Sequence, residues 1–197
     1  MTPEKIHVIP LPFDPPQESK RYVRHYPEIF TAERPMKVLF LGTLTLRKGL
    51  YYAVEACKAM RELPVQFYFV GSQETAKPEG LPENTAWLPP VSREETAEFY
   101  KSADVFLFPT VSDGFGLTQL EAFAWQLPII ASKQCGDVVE HDKNGLILEE
   151  ISVEAVVKTL KQVMNEPERL HRYAQQATGR LEDFTVEKFG KQLASIV

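Results

Sequence analysis

From residue 36 onward, apolar runs of strand length alternate with stretches whose apolar residues recur at helical intervals. The run MKVLFLGTL is apolar without polar alternation, which predicts a strand buried on both faces. In LYYAVEACKAMREL the positions Leu50, Val54, Cys57 or Ala53, and Met60 fall at helical spacing, so a helix follows Lys48-Gly49. VQFYFVGS predicts a second buried strand closed by Gly71, and TAWLPP a short third one. Ser92 with Glu95 three residues on is a capping box, opening a helix that buries Ala97, Phe99 or Tyr100, and Ala103. DVFLFPT reads as a strand, residues 117 to 126 as a helix, and PIIASK and GLILEE as the last two strands. The remainder is helical in pattern, with interruptions near Pro167 and at Gly179. Five or six buried strands alternating with helices imply an α/β fold, a Rossmann-like parallel sheet with helices on both faces.

Before residue 36 the pattern changes. IHVIPLPFDPPQ reads as a short apolar strand running into prolines, and RYVRHYPEIF as a polar, aromatic connector. Residues 1–35 are therefore expected to form an interdomain segment and connector, and 36–197 the sheet domain with its C-terminal helices. A chain of 197 residues, 44% hydrophobic and 25% charged, suits one globular core. Its net charge of -5 argues against a broad basic surface for nucleic acid. Cys57 and Cys135 share no C-x-x-C spacing, and His7, His25, His141 and His171 are scattered, so neither a disulfide framework nor a metal site is expected. Trp87 and Trp125 read as core. No apolar run is long enough to span a bilayer and no signal-peptide pattern opens the chain, which reads as soluble and cytoplasmic.

In such folds ligands collect beyond the carboxyl ends of the strands, and three loops there carry chemistry. In GTLTLRKG, Gly42 ends a strand and Lys48 stands before a helix, where an ammonium and free helix-start N–H groups can meet one anion. A solvated lysine is an equally good reading of that position. The loop is neither a P-loop nor a G-x-G-x-x-G dinucleotide turn. In VSDGFGLTQLEAFAWQLPII, Gly114 and Gly116 interrupt the backbone between Asp113 and a new helix. The first N–H groups of that helix can bind phosphate, and Asp113 and Glu121 can accept hydrogen bonds from sugar and ribose hydroxyls. The alternative makes Asp113 a turn residue and Glu121 a solvated one, but Glu121 sits in a strongly apolar helix. The third loop, SKQCGDVVEHDKNGLIL, offers a Cys135-Gly136 turn and a tight-turn pair, Asn144-Gly145.

Together these loops resemble the C-terminal, donor-binding half of the retaining glycosyltransferases of family 4, the glycosyl transferases group 1, which have the two-domain GT-B fold. The likeness rests on VIPLPFD at the front, FLGTLTLRKG, DVFLFPTVSDGFGLTQLEAFAWQLPIIAS in the region of the E-x(7)-E motif, and GDVVEHDKNGLIL. It implies a catalytic set of Lys48 on the donor diphosphate, Glu121 on the nucleotide ribose and Asp113, in place of the motif's first glutamate, on the transferred sugar. It further implies donor contacts from Gly42, Thr43, Arg47, Gly114, Phe115, Gly116, Leu117 and Thr118. Thr43 stands where many relatives have an arginine, and Cys135-Gly136 replaces a Gly-Gly pair. The expected substrate is a nucleotide-diphosphate sugar, with no cofactor and no metal. The expected partner is an N-terminal Rossmann-like acceptor half, and membrane association of a full-length protein is compatible with this reading. A sugar-nucleotide epimerase and a non-catalytic nucleotide-sugar binding module are the competing readings.

Overall fold

The computed structural model describes residues 7–196. Six strands, β1 (Met36–Leu41), β2 (Val65–Val70), β3 (Thr85–Leu88), β4 (Val105–Phe108), β5 (Ile129–Ala131) and β6 (Gly145–Ile147), form one sheet in the order β3-β2-β1-β4-β5-β6. Every pairing is parallel, with Val38 opposite Phe67 on one side of β1 and Val105 on the other. The helices are α1 (Leu50–Ala59), α2 (Arg93–Ser102), α3 (Thr118–Ala124), α4 (Val153–Asn165), α5 (Pro167–Arg180) and α6 (Val186–Ala194).

Side chains of successive strand residues point to opposite faces, so each face acquires its own core. Val38, Phe40, Val105 and Leu107 pack with α1 and α4 through Val54, Cys57, Val156 and Leu160. Leu39, Phe106 and Phe108 pack with α2 and α3 through Tyr100, Leu120 and Phe123. This double burial is why the strands read as unbroken apolar runs.

The expected elements occur, with local corrections. The capping box is present: the Glu95 N–H donates to Ser92 Oγ at 3.2 Å, and the Ser92 N–H to Glu95 Oε2 at 2.9 Å. Tyr100 and Ala103 are buried, whereas Ala97 and Phe99 are half-buried. The front segment forms no strand over residues 7–16, and Val8 is 89% exposed; Ile6 lies outside the described residues. Pro10, Pro12, Pro15 and Pro16 bring no N–H to a ladder, which is reason enough. Pro167 starts α5 as the first-turn residue it suits, but Gly179 lies inside α5, and the helical chain breaks at Thr185 instead. Thr185 takes extended backbone and caps α6 by accepting from the Lys188 N–H.

The connector packs closely on the sheet domain. The Phe13 N–H donates to the Phe184 carbonyl at 2.7 Å, Phe30 is buried, and Arg34 forms a two-pronged ion pair with the buried carboxylate of Asp104, at 2.8 and 2.7 Å. Trp125 is buried and Trp87 half-buried against Phe69. No helix among the described residues is long and apolar enough to cross a membrane.

Candidate functional site

The sheet order places β1 and β4 side by side while their outer neighbours continue in opposite directions. This is the topological switch point, where the loops leaving two adjacent strands diverge and open a crevice. Both acid-bearing and base-bearing loops of the sequence leave from these two strands.

After β1, Gly42 adopts φ +136, and the chain then turns through a short 3-10 segment, Leu46–Lys48, capped by Thr45. Gly49 follows with φ +82, and a Cβ there would lie 2.0 Å from the Pro109 carbonyl oxygen. Only glycine lets the two loops approach this closely. The contact is continued by hydrogen bonds from the Val111 N–H at 2.9 Å and Thr110 Oγ1 at 3.1 Å to the Arg47 carbonyl. The Arg47 guanidinium donates to the Ser112 carbonyl at 2.7 Å. As a result the Lys48 ammonium reaches the Asp113 carboxylate and pairs with it, both side chains being largely enclosed, at 19% and 13% exposure. The same ammonium lies 5.4 Å from the centre of the Phe108 ring. The lysine is therefore turned inward onto Asp113 rather than solvated. Thr43 and Gly42 line the start of this loop, half-buried.

After β4, the Asp113 N–H is fixed by the Gln134 carbonyl at 2.9 Å. Gly116 has φ +80, and a Cβ on it would meet the Phe108 ring at 2.8 Å. Gly114 is different: a Cβ there would find nothing within 4 Å, so its small size leaves open space rather than relieving a clash. Among the described residues, none of the backbone N–H groups of Gly114, Phe115, Gly116, Leu117 and Thr118 donates a hydrogen bond. A continuous run of free donors leads into α3, whose positive dipole end points the same way. The Phe115 carbonyl, by contrast, is engaged by the Gly136 N–H and by Gln119 Nε2, each at 3.0 Å.

Within the first turn of α3, Glu121 is half-buried and accepts a hydrogen bond from the Tyr100 hydroxyl at 2.8 Å. Burial and the adjacent Glu121 charge push the Tyr100 phenol well above its ordinary range, so it stays a donor. The carboxylate thus has one oxygen held from the protein side. Tyr100 is a candidate-site residue that the helical pattern assigned only to the core. Its signal was the requirement that a buried phenol find a partner, but nothing in the chain names which partner.

The third loop closes the crevice. Gly136 packs so tightly on Phe115 that a Cβ would lie 2.5 Å from its ring, and Phe115 in turn stands edge-on to Phe184, 5.7 Å between centres. Burial pushes the neighbouring Cys135 thiol up to about 11, with the Asp113 and Asp137 charges acting in the same direction. The Asn144-Gly145 pair does not form the tight turn itself. Asp142 takes the positive φ, +61, while Gly145 begins β6, where a Cβ would strike the Ile129 carbonyl at 2.2 Å. A crevice of about 990 Å³ lies beside the site, bordered by Gly114, Phe115, Gly136, Arg180 and the front segment at Val8 to Leu11.

Comparison with known proteins shows which family shares this sequence pattern and fold. A family profile described as glycosyl transferases group 1 matches residues 25–180. The D-inositol 3-phosphate glycosyltransferase of Rhodococcus erythropolis is 31% identical over 168 residues, covering 76% of this chain and 38% of the relative. The chain spans about half the length, or less, of the curated relatives it matches. Among solved structures it is similar to WaaG, a glycosyltransferase involved in lipopolysaccharide biosynthesis (TM-score 0.74, 19% identity, 99% of this chain and 56% of that one). It is similar also to Anabaena HepE in complex with UDP-glucose (0.70, 17%, 83% and 49%) and to the C-terminal domain of a group 1 family protein, LpcC, of Francisella tularensis (0.67, 18%, 90% and 97%). With the family profile spanning most of the sheet domain and these GT-B enzymes sharing its fold, the chain belongs to the glycosyl transferases group 1.

Proposed function

We propose that this chain is the donor-binding half of a retaining glycosyltransferase of family 4, which moves a hexose-type sugar from a nucleotide-diphosphate donor to an acceptor. The observation that carries the reading is the convergence, at one switch point, of the Lys48 ammonium, the free N–H groups of Gly114 to Thr118 and the Glu121 carboxylate. A diphosphate needs a cation and oriented donors, and a ribose needs a carboxylate facing two vicinal hydroxyls. The Anabaena HepE structures, similar in fold and solved with UDP and UDP-glucose, support a ligand of this class.

Lys48 and the N–H groups neutralise the diphosphate and stabilise the charge that grows on it as the sugar leaves. Gly42, Thr43 and Arg47 border the phosphates from the β1 side. Asp113 faces the sugar, and the open space at Gly114 lets the donor approach the backbone. In the reaction, the bond from the sugar anomeric carbon to the diphosphate oxygen breaks and a bond to the acceptor oxygen forms on the same face. The acceptor proton passes to the leaving phosphate oxygen. Acceptor positioning belongs to an N-terminal Rossmann-like half, so this chain by itself is expected to transfer no sugar above background.

The test is calorimetry of the chain with a set of nucleoside diphosphates and their sugar conjugates in a chelating buffer. Micromolar or tighter metal-independent binding of at least one is expected. Absence of binding across the set would overturn the reading, and robust transfer by this chain alone would contradict the division of labour.

A further inference from the structure

Arg24 belongs to the connector RYVRHYPEIF, to which the sequence assigns no chemistry, yet it is only 4% exposed. Among the described residues, no carboxylate meets its guanidinium. Nε and Nη2 donate to the Trp125 carbonyl at 3.2 and 2.9 Å, Nη2 also to the Tyr100 carbonyl at 2.6 Å, and Nη1 to the carbonyls of Lys101, at 3.3 Å, and Ala103. These acceptors are the terminal carbonyls of α2 and α3, which lack partners within their helices and carry the negative end of each dipole. A planar guanidinium with several fixed donors can serve two helix ends at once, which an ammonium cannot.

The connector backbone adds to the same junction. The Arg24 N–H donates to Gln126 Oε1 at 3.1 Å, and Gln126 Nε2 to the Tyr22 carbonyl at 2.8 Å. Gln126 is held there at φ +53, a left-handed conformation that a residue with a side chain adopts at some cost. The connector therefore braces the chain where α3 ends.

The two helices joined in this way carry the two members of the Tyr100–Glu121 pair. Tyr100 offers its carbonyl to Arg24 and its hydroxyl to Glu121. α3 spans only Thr118–Ala124, about two turns, so a shift at its end reaches Glu121 almost undiminished.

We propose that Arg24 is a positioning residue that sets α2 against α3, holds the Tyr100 hydroxyl on one oxygen of Glu121 and thereby sets recognition of the ribose hydroxyls of the donor. The proposal rests on the reading of Glu121 as the ribose carboxylate. Arg24 is buried and acts through the two helix ends it holds. Its effect arises because a hydrogen bond weakens steeply once length and angle drift, so a small slide between the helices releases the carboxylate to point elsewhere.

The experiment measures binding of UDP, GDP and ADP, each beside its 2′,3′-dideoxy form, together with inorganic pyrophosphate and the thermal midpoint. It compares the unmodified chain with Arg24→Met and Arg24→Lys. For the nucleotide that binds, the unmodified chain is expected to prefer the ribo form by about tenfold, the worth of one charged hydrogen bond. In Arg24→Met that ratio falls to within about twofold of unity while pyrophosphate binding changes by less than about twofold, and Arg24→Lys lies between. A merely structural arginine would lower the thermal midpoint and leave the ratio intact, and that result in a folded Arg24→Met overturns the proposal. Should Arg24→Met not fold, an unchanged ratio in Arg24→Lys overturns it equally. An unmodified chain that binds ribo and dideoxy forms alike removes the ribose reading of Glu121, and the proposal with it.

Discussion

Asp113 and Glu121 stand eight residues apart in the chain and bracket the same helix start, but the protein holds them by different means. Asp113 sits on a loop and is paired with a cation from another loop, Lys48. Glu121 sits on a helix and is held by a neutral donor, Tyr100, from a second helix. The first arrangement is self-satisfied: an anion reaching Lys48 must take the place of Asp113. The second is left asking for partners, because the phenol occupies only part of what a carboxylate can accept. A loop pair of opposite charges thus stands at one end of the candidate site, and a helix pair at the other.

That contrast can be tested by removing its members in turn. Replacing Lys48 with Ala should have the largest effect, lowering nucleoside diphosphate affinity by about 10- to 150-fold, the value of a hydrogen bond to a charged group. It also strands the enclosed carboxylate of Asp113, so the thermal midpoint should fall with it. Unchanged affinity by calorimetry would take Lys48 out of the site.

Glu121→Gln keeps the shape and the Tyr100 contact but gives up charge assistance, and ribonucleotide affinity should drop by roughly 2- to 10-fold. Dideoxy-nucleotides should notice no change. An equal loss for both forms would mean that Glu121 shapes the helix rather than reads the ribose.

Asp113→Asn should act in the opposite direction. With its competitor neutral, Lys48 is released, and diphosphate affinity should rise by up to about fivefold, the upper range for a partly exposed ion pair. Discrimination between a nucleotide sugar and its bare diphosphate should shrink at the same time. Weaker diphosphate binding in this variant would show that the pair builds the site instead of guarding it.

The smallest effect is a pH reading of the same loop. Burial, aided by the Asp113 charge, lifts the Cys135 thiol to about 11, so the reactive thiolate is scarce at neutral pH and gathers only as pH climbs toward that value. Alkylation at pH 8 should be on the order of a hundredfold slower than for a free thiol. Asp113→Asn should move the rise to lower pH, and an ordinary cysteine profile would show the loop to be open.

Much of this was legible in the chain. MKVLFLGTL and VQFYFVGS declared strands buried on both faces, and Ser92 with Glu95 declared its helix start, because these signals act within a few residues. Lys48 and Asp113 could be singled out because they stand in glycine-bearing loops beyond strand ends, though a solvated lysine read equally well, and Glu121 because a carboxylate inside an apolar helix is costly without a partner. The misreadings were local signals overruled. Asn144-Gly145 resembles a turn pair, but the Ile129 backbone crowds Gly145 and moves the left-handed residue to Asp142. Gly179 resembles a helix break, but Ala174 and Ala177 of α5, and Leu181 just beyond its end, are buried and carry the helix through it.

What the sequence determined by itself, then, was the alternation of elements, the class of fold and the identity of the charged residues, since periodicity, capping and turn chemistry are properties of neighbours along the chain. The tertiary structure alone decided that Lys48 meets Asp113 across two loops, that Tyr100 holds Glu121, and that Arg24 reaches the ends of both helices from a connector roughly a hundred residues away from one of them. Those contacts depend on the strand order, which sets β1 beside β4. Long-range pairing of this kind follows from how both faces of the sheet are buried at once, and no window of sequence contains it.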